Sequence, residues 1–289
     1  MINRIEFSAL EGCSLQELHQ CFVRAFGDYQ VPMDLPVERF RSMLARNGFE
    51  ATLSAGAFCD GQLVGFVFNG VRYYAGGKLA YDSGTAVLPK FRGQEIATRL
   101  MAFTMELLSQ AGVYGYVLEC IETNTKALSL YQKNGFRRTR YFTCWQTERR
   151  TLLTKTMDIQ LQYQIKEGTP AELHEAQNIL SSYPSWQNSD SAILAISTQM
   201  KYIKLTDGQG KTIGFAAWDP SSGSIARLAT WDGDAVFRLL QHIACHSTAP
   251  RIRMVNVDTD DRLLPSALEG LGFSVNVRQI EMFKFLQER

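Results

Sequence analysis

Two stretches in the first half of the chain combine residue types able to hold a phosphorylated ligand and to move a proton. One runs Ala86-Val87-Leu88-Pro89-Lys90-Phe91-Arg92-Gly93-Gln94-Glu95-Ile96-Ala97-Thr98; the other runs Asn124-Thr125-Lys126-Ala127-Leu128-Ser129-Leu130-Tyr131-Gln132-Lys133-Asn134-Gly135-Phe136. The first reads as the end of a strand, a short turn and the opening of a helix continued by Leu100, Met101, Phe103, Leu107 and Leu108. Such a helix start aims its unpaired backbone N–H groups and positive dipole end at whatever lies above the turn. That makes a cradle for phosphate. The second stretch reads as a helix bearing Tyr131 and stopped by Asn134-Gly135, where glycine takes the left-handed cap. Tyr131 reads as a core aromatic on an amphipathic helix or as a proton donor, and Asn124 as a helix N-cap. The acidic candidates for removing a proton are Asp82, Glu119 and Glu122, on or beside the central strands.

Taken together the two stretches resemble the signature motifs of the GNAT superfamily of N-acetyltransferases. The family motif Arg/Gln-x-x-Gly-x-Gly/Ala stands here as Arg92-Gly93-Gln94-Glu95-Ile96-Ala97, with Glu95 in place of the expected glycine. The second motif has Asn124, Ala127, Tyr131 and Gly135-Phe136 in their usual relative places. The resemblance implies that acetyl-CoA is the co-substrate, with no metal. It implies that the backbone from Arg92 through Ala97 and Thr98 holds the pyrophosphate, and that the backbone of Ala86, Val87 and Leu88 pairs with the pantetheine arm. Asn124 and Ala127 then help hold the cofactor, and Tyr131 protonates the departing thiolate. Family members often use water in place of a direct base, so Asp82, Glu119 and Glu122 remain alternatives. Glu95 either points inward, where its carboxylate repels the diphosphate, or faces solvent as a helix-start residue worth roughly 0.3–1 kcal/mol to the dipole.

Composition sets bounds on this reading. A chain of 289 residues is long for one domain and comfortable for two. With 45% hydrophobic and 20% charged residues it has an ordinary globular composition, and a net charge of +1 argues against an electrostatic nucleic-acid binder. No apolar run approaches the roughly 20 residues that span a bilayer, and the start Met1-Ile2-Asn3-Arg4 lacks a signal-peptide core. The six cysteines (Cys13, Cys21, Cys59, Cys120, Cys144, Cys245) show no C-x-x-C spacing and read as reduced residues of a cytoplasmic protein. With four histidines and none at ligand spacing from a cysteine, no zinc site is expected.

The elements that must position these residues follow from periodicity and punctuation. A strand is predicted at 2–7, helices at 14–26 and 36–46, and strands at 51–59, 62–74 and 78–88, with turns at Asp60-Gly61 and Gly76-Gly77. A helix at 93–110, a strand at 114–121, a helix at 124–133 and a strand at 136–146 follow. This order makes an α/β (α+β) fold, a mixed twisted sheet flanked by helices.

The second half echoes the first. Gln62-Leu63-Val64-Gly65-Phe66 returns as Lys211-Thr212-Ile213-Gly214-Phe215, and Leu130 to Phe136 returns as Leu268-Glu269-Gly270-Leu271-Gly272-Phe273. A helix at 234–247 and a strand at 251–258 stand between. From Phe66 to Phe136 is 70 positions and from Phe215 to Phe273 is 58, a shortfall of 12 where the first copy carries its phosphate turn. Leu228 to Asp234 stands there instead, with two aspartates that repel a diphosphate, and Leu268 stands near the tyrosine's place. The expectation is two tandem GNAT-like domains: 1–146 binding acyl-CoA, a linker at 147–160, and a degenerate domain at 161–289.

The leading functional expectation is an acetyl-CoA-dependent N-acetyltransferase acting on a small-molecule or peptide amine, with no nucleic-acid or membrane partner, as a monomer or homodimer. Tyr29, Tyr73 and Tyr74 either line the acceptor pocket or are strand and loop aromatics. The alternatives are a non-catalytic acyl-CoA-binding or sensing protein, motivated by Glu95, and a thiol-pathway transferase of the mycothiol-synthase kind.

Overall fold

The computed structural model describes residues 4–29, 33–156 and 163–287. Residues 2 and 3 of the predicted first strand and 157–160 of the predicted linker lie outside these. The chain divides into two compact units, the first made of Met1–Cys120, Asn124–Thr139 and Glu281–Arg289, the second of Ile121–Thr123 and Arg140–Ile280.

The first unit contains, in order, β1 (Ile5–Ala9), α1 (Leu15–Ala25), α2 (Val37–Asn47), β2 (Ala55–Cys59), β3 (Gln62–Tyr74), β4 (Gly77–Val87), α3 (Ile96–Gln110), β5 (Gly115–Ile121) and α4 (Thr125–Lys133). β1 to β4 pair antiparallel in sequence order, and β4 pairs parallel with β5. Ser14 and Glu17 form a capping box that starts α1. Phe66 and Phe68 alternate onto one face of β3, their ring centroids 4.1 Å apart, and Phe22 and Phe40 of α1 and α2 pack over them. Gly65 points to the other face, where Leu100 of α3 comes within 3.2 Å of the place a Cβ would take. This close approach explains the glycine of the first Gly-Phe echo.

The second unit holds β6 (Arg137–Glu148) from Arg140 onward, then α5 (Arg149–Thr154), β7 (Gln164–Glu167), α6 (Asp190–Leu194), β8 (Lys201–Thr206), β9 (Thr212–Asp219), β10 (Ser224–Thr230), α7 (Gly233–Cys245), β11 (Arg251–Asp258), α8 (Leu264–Gly270) and β12 (Ser274–Phe285) as far as Ile280. The division falls at Thr139/Arg140 rather than at residue 146 because β6 pairs antiparallel with β11, from Phe142↔Asp258 to Glu148↔Arg251. The neighbour of β5 in the first unit is the Glu281–Phe285 end of β12, where Leu286 N–H donates to the Tyr114 carbonyl at 2.9 Å and the Phe283 ring lies over Gly115. The stretch read as a linker is ordered at its start, with Thr147 and Glu148 in β6 and Leu152 of α5 fully buried.

The remaining boundaries agree closely with periodicity. β3 spans the predicted 62–74 and β11 the predicted 251–258, whereas 51–53 form a 3-10 turn ahead of β2. The six cysteines are free; Cys21, Cys59, Cys120 and Cys144 are buried, Cys13 is half-buried and Cys245 is exposed. Among the described residues no helix is long and apolar enough to cross a membrane.

Candidate active site

The site begins with a slip in the sheet. β3 and β4 pair residue for residue from Tyr74↔Gly77 to Asn69↔Asp82; then Phe68 faces Gly84, leaving Ser83 as the extra residue. Such a bulge bends its strand and increases its twist. β4 and β5 pair only from Leu79↔Gly115 to Asp82↔Leu118. Beyond that register the two parallel strands part, and β4 from Ser83 to Val87 has no β5 partner. Ala86 and Val87 therefore lie along an opened edge, while on the other side of β4 the pairing with β3 continues as Leu88 donates its N–H to the Val64 carbonyl at 2.8 Å. An extended amide chain laid into this opening would find strand-like partners.

Asp82 and Tyr131 meet at the point where the strands part. The Tyr131 hydroxyl donates to Asp82 Oδ2 at 3.1 Å. The bulge turns β4 so that Gly84 N–H donates to Asp82 Oδ1 at 2.9 Å and the Thr85 hydroxyl to Oδ2 at 2.6 Å. Both side chains are buried. Burial pushes Asp82 up to about 6, against the three hydrogen bonds that favour its ionised form. Tyr131 is pushed well above its ordinary value, first by burial and then by the Asp82 charge, so it keeps its proton. It is a donor, not a base.

The two remaining acids are placed differently. Tyr81 and Val117 are register partners, so Glu119, two residues after Val117, lies on the sheet face opposite Asp82. There it accepts a hydrogen bond from the Tyr81 hydroxyl. Glu122 belongs to the second unit, is exposed, and donates its N–H to the Arg278 carbonyl at 2.9 Å.

Asn124 is the N-cap of α4. Its Oδ1 caps α4 by accepting Ala127 N–H at 3.2 Å, and its Nδ2 reaches toward the Tyr29 hydroxyl at 3.5 Å. Tyr29 thus stands beside the start of α4. Tyr73 and Tyr74 face Lys78 and Gly77 at the hairpin end of β4, far along the strand from Asp82. A cavity of about 1030 Å³ at that end, lined by Gly77, Leu79, Met105, Tyr114 and Phe283, contains none of the candidate residues.

The turn before α3 is built on two left-handed residues, Gly93 at φ 77° and Glu95 at φ 57°. Glu95 is the N-cap but makes no side-chain cap bond, and it is exposed. Arg99 N–H is the first to reach back to a helix-start carbonyl, that of Glu95 at 3.1 Å, so the N–H groups ahead of it face outward for an anion. The Arg92 guanidinium is engaged elsewhere. It grips both Asp28 oxygens at 2.6 and 2.8 Å, the Ala25 carbonyl at 2.9 Å and the Val87 carbonyl at 3.0 Å. This bidentate grip ties the end of α1 to the end of β4 and holds the Asp28 carboxyl below its usual range. Its role in fixing the turn is one that spacing could not reveal, because Asp28 lies 64 residues away. Among the described residues no group of three or more His, Cys, Asp or Glu side chains is placed to hold a metal ion.

The second unit repeats the backbone and changes its contents. β9 and β10 slip between Ile225 and Arg227, and β10 pairs with β11 only through Ile225↔Met254. By register Arg227 stands where Gly84 stands in the first unit, buried and bonded to the Asn188 carbonyl at 2.7 Å and to Asp190 at 2.8 Å. Phe136 N–H returns to Tyr131 and Phe273 N–H returns to Leu268, so a buried leucine holds the tyrosine's position. The start of α7 is already occupied, since Asp232 Oδ1 accepts Asp234 and Ala235 N–H at 2.8 and 3.3 Å.

Comparison with known proteins agrees with this geometry. The family model described as Acetyltransferase (GNAT) family matches residues 15–136. N-alpha-acetyltransferase 30 of Dictyostelium discoideum is 34% identical over 91 residues, 30% of this chain and 49% of that protein. Mycothiol acetyltransferase of Brachybacterium faecium is 33% identical over 117 residues, 39% of this chain and 35% of that protein. The chain thus matches about half of the first relative's length and about a third of the second's. A tandem GNAT protein from the clavulanic acid biosynthesis pathway shares the fold at a TM-score of 0.71, with 11% identity over 99% of this chain and 100% of that one.

Two stability predictions follow from these residues. The folded pKa of Asp82 lies above the ordinary unfolded value of about 3.9, so its contribution is fully present below about pH 4 and lost as pH rises through about 6. Asp82→Asn removes that penalty. It should stabilise the fold at pH 8 by on the order of 2–3 kcal/mol, with the gain vanishing near pH 4, as read by urea unfolding at the two pH values. Glu95→Gly should add about 1 kcal/mol by relieving a left-handed non-glycine residue, read as a rise in the melting temperature.

Proposed function

Through residues 15–136 the chain belongs to the Acetyltransferase (GNAT) family, and on that premise we propose that it moves an acetyl group from acetyl-CoA to a primary amine by direct attack on the thioester. The carrying observation is that Tyr131, protonated and buried, stands at the register where β4 and β5 part. Acetyl-CoA fits the residues present. The outward N–H groups at the start of α3 suit its diphosphate, and the opened β4 edge at Ala86, Val87 and Leu88 suits its amide-bearing arm. When bound, it supplies the activated acyl group.

The residues divide the proton work between the two faces of the sheet. Tyr131 delivers a proton to the thiolate from the Asp82 face. Glu119, on the opposite face with Tyr81, receives the amine's proton directly or through water. Separation of donor and acceptor by the sheet keeps each from neutralising the other. Tyr29, beside Asn124, lines the acceptor approach. The acceptor is an amine of a small molecule or peptide, and likeness to a mycothiol acetyltransferase supports a small-molecule acceptor as much as likeness to an N-alpha-acetyltransferase supports a peptide. We place the protein in the cytoplasm, acting as a monomer or homodimer.

The 1–146 region, amended by the exchanged strand ends, is the acyl-CoA-binding domain; the rest is a GNAT-like domain that binds none. Isothermal titration with CoA should give one site per chain, and two equivalent sites would overturn the assignment. Tyr131→Phe should lower kcat on the order of 10²-fold, typical of losing a positioned acid, with little change in the KM for acetyl-CoA. An unaltered kcat where chemistry limits turnover would return Tyr131 to a packing role.

A further inference from the structure

The geometry points to Asp82 as the positioning residue for Tyr131: its protonation state decides whether the tyrosine proton points into the carboxyl group or into the opening between β4 and β5. The inference rests on the acetyl-transfer reading above, and assigns Asp82 no contact with the amine. Every donor around the carboxylate is accounted for. Oδ1 takes Gly84 N–H at 2.9 Å, and Oδ2 takes both Thr85 Oγ1 at 2.6 Å and Tyr131 Oη at 3.1 Å. While Asp82 is ionised it can only accept, so the Tyr131 proton is committed to it.

One proton reverses this. A protonated Asp82 donates from Oδ2 to Tyr131 Oη, and the phenol turns its own hydrogen away from the carboxyl. The step then balances. The amine nitrogen bonds to the acyl carbon, the carbon–sulfur bond breaks, and sulfur leaves with the electron pair. Tyr131 gives its proton to sulfur and takes the Asp82 proton in the same movement. The proton lost by the amine is taken up by Glu119 and released to solvent, and solvent returns one to Asp82.

The surroundings suit such a switch. The titratable groups facing Asp82 are Tyr116 and Cys120 of β5 and Tyr131 of α4, and its register partner on β3 is the neutral Asn69. None of them is a cation that would hold the carboxylate ionised. Burial keeps Tyr116 well above its ordinary value and pushes Cys120 up to about 12, so both stay neutral. Burial also brings Asp82 up to about 6, within reach of ordinary assay conditions.

Two measurements on the full chain test this. In the first, the Asp82 carboxyl carbon is followed by ¹³C NMR against pH in wild type and Tyr131→Phe. Loss of a donor to the ionised form should raise the Asp82 midpoint, and an unchanged midpoint overturns the inference. In the second, CoA release from acetyl-CoA with a panel of free-amine peptides and amino sugars is followed in single turnovers from pH 5 to 9. Asp82→Asn keeps the geometry. Its oxygen accepts Gly84 N–H, its amide donates to both hydroxyls, and the Tyr131 proton is turned outward at every pH. The ratio of the Asp82→Asn rate to the wild-type rate cancels the acceptor's own ionisation. It should rise by about tenfold per pH unit above the Asp82 midpoint, while Asp82→Ala, which cannot orient the phenol, stays slow throughout. A ratio flat across the range, or equal rates for the Asn and Ala variants, overturns the inference. Absence of CoA release by wild type with every amine removes the acetyl-transfer reading and this one with it, whereas turnover without the NMR coupling removes this one alone.

Discussion

The bulge at Ser83 is the constraint on which the first unit's chemistry depends. One extra residue in β4 changes three things together. It bends the strand away from β5 after Asp82↔Leu118. It turns Gly84 N–H and the Thr85 hydroxyl back onto Asp82. It also gives Tyr131 a carboxyl group at the mouth of the opening. Without the bulge, β4 would continue its ladder with β5, and there would be no exposed strand edge for an extended ligand. Asp82 would also lose two of its three donors. The carboxyl, the tyrosine and the opened edge are thus one feature of the backbone seen from three sides.

The second unit shows that this device is separable from its contents. β10 slips and parts from β11 as β4 does from β5, so the repeated backbone has kept its opening. Arg227 stands in the place of Gly84, and its Nη2 donates to the Asn188 carbonyl and to Asp190. Leu268 takes the place of Tyr131, and Asp232 satisfies the N–H groups at the start of α7. A buried arginine with its counter-ion costs several kcal/mol of desolvation unless its geometry is good; here Nη2 has a carbonyl and a carboxylate, while Nε and Nη1 are buried without a hydrogen-bond partner. The bulge belongs to strand pairing and recurs in both units, whereas the side chains around it differ.

Much of this was legible in the sequence, and the rest was not for definable reasons. Strand alternation and Gly-Phe punctuation located β3, β4 and both helix ends, because those signals are local. Asn124, Tyr131 and Gly135 were legible because helix caps fix their spacing. The partners of Arg92 and Tyr131 were not, since Asp28 lies 64 residues from one and Asp82 lies 49 from the other. Asp82 and Glu119 read alike as strand acids. Only register shows that they occupy opposite faces. The exchange of strand ends was hidden too, because β6 reads equally well as a partner of β5 or of β11, and a strand's hydrophobic pattern does not name its neighbour.

Three locally unfavourable features gather around the same opening, and their clustering bears on what the site is for. Asp82 is an ionisable group buried with no cation among the groups that act on it. Glu95 holds a left-handed conformation that glycine would adopt at less cost. The β4 edge from Ser83 to Val87 forgoes a parallel partner within reach. Each sacrifices on the order of 1–3 kcal/mol against an easily imagined alternative. Scattered, they would be unrelated imperfections. Concentrated on one strand end and the turn that follows it, they match what the proposed binding and proton transfer would demand at the expense of stability. The second unit supplies the contrast. There the helix start is capped by Asp232, and Arg227 stands where the first unit has Gly84. The unit whose helix start is capped carries Leu268 where the first carries Tyr131.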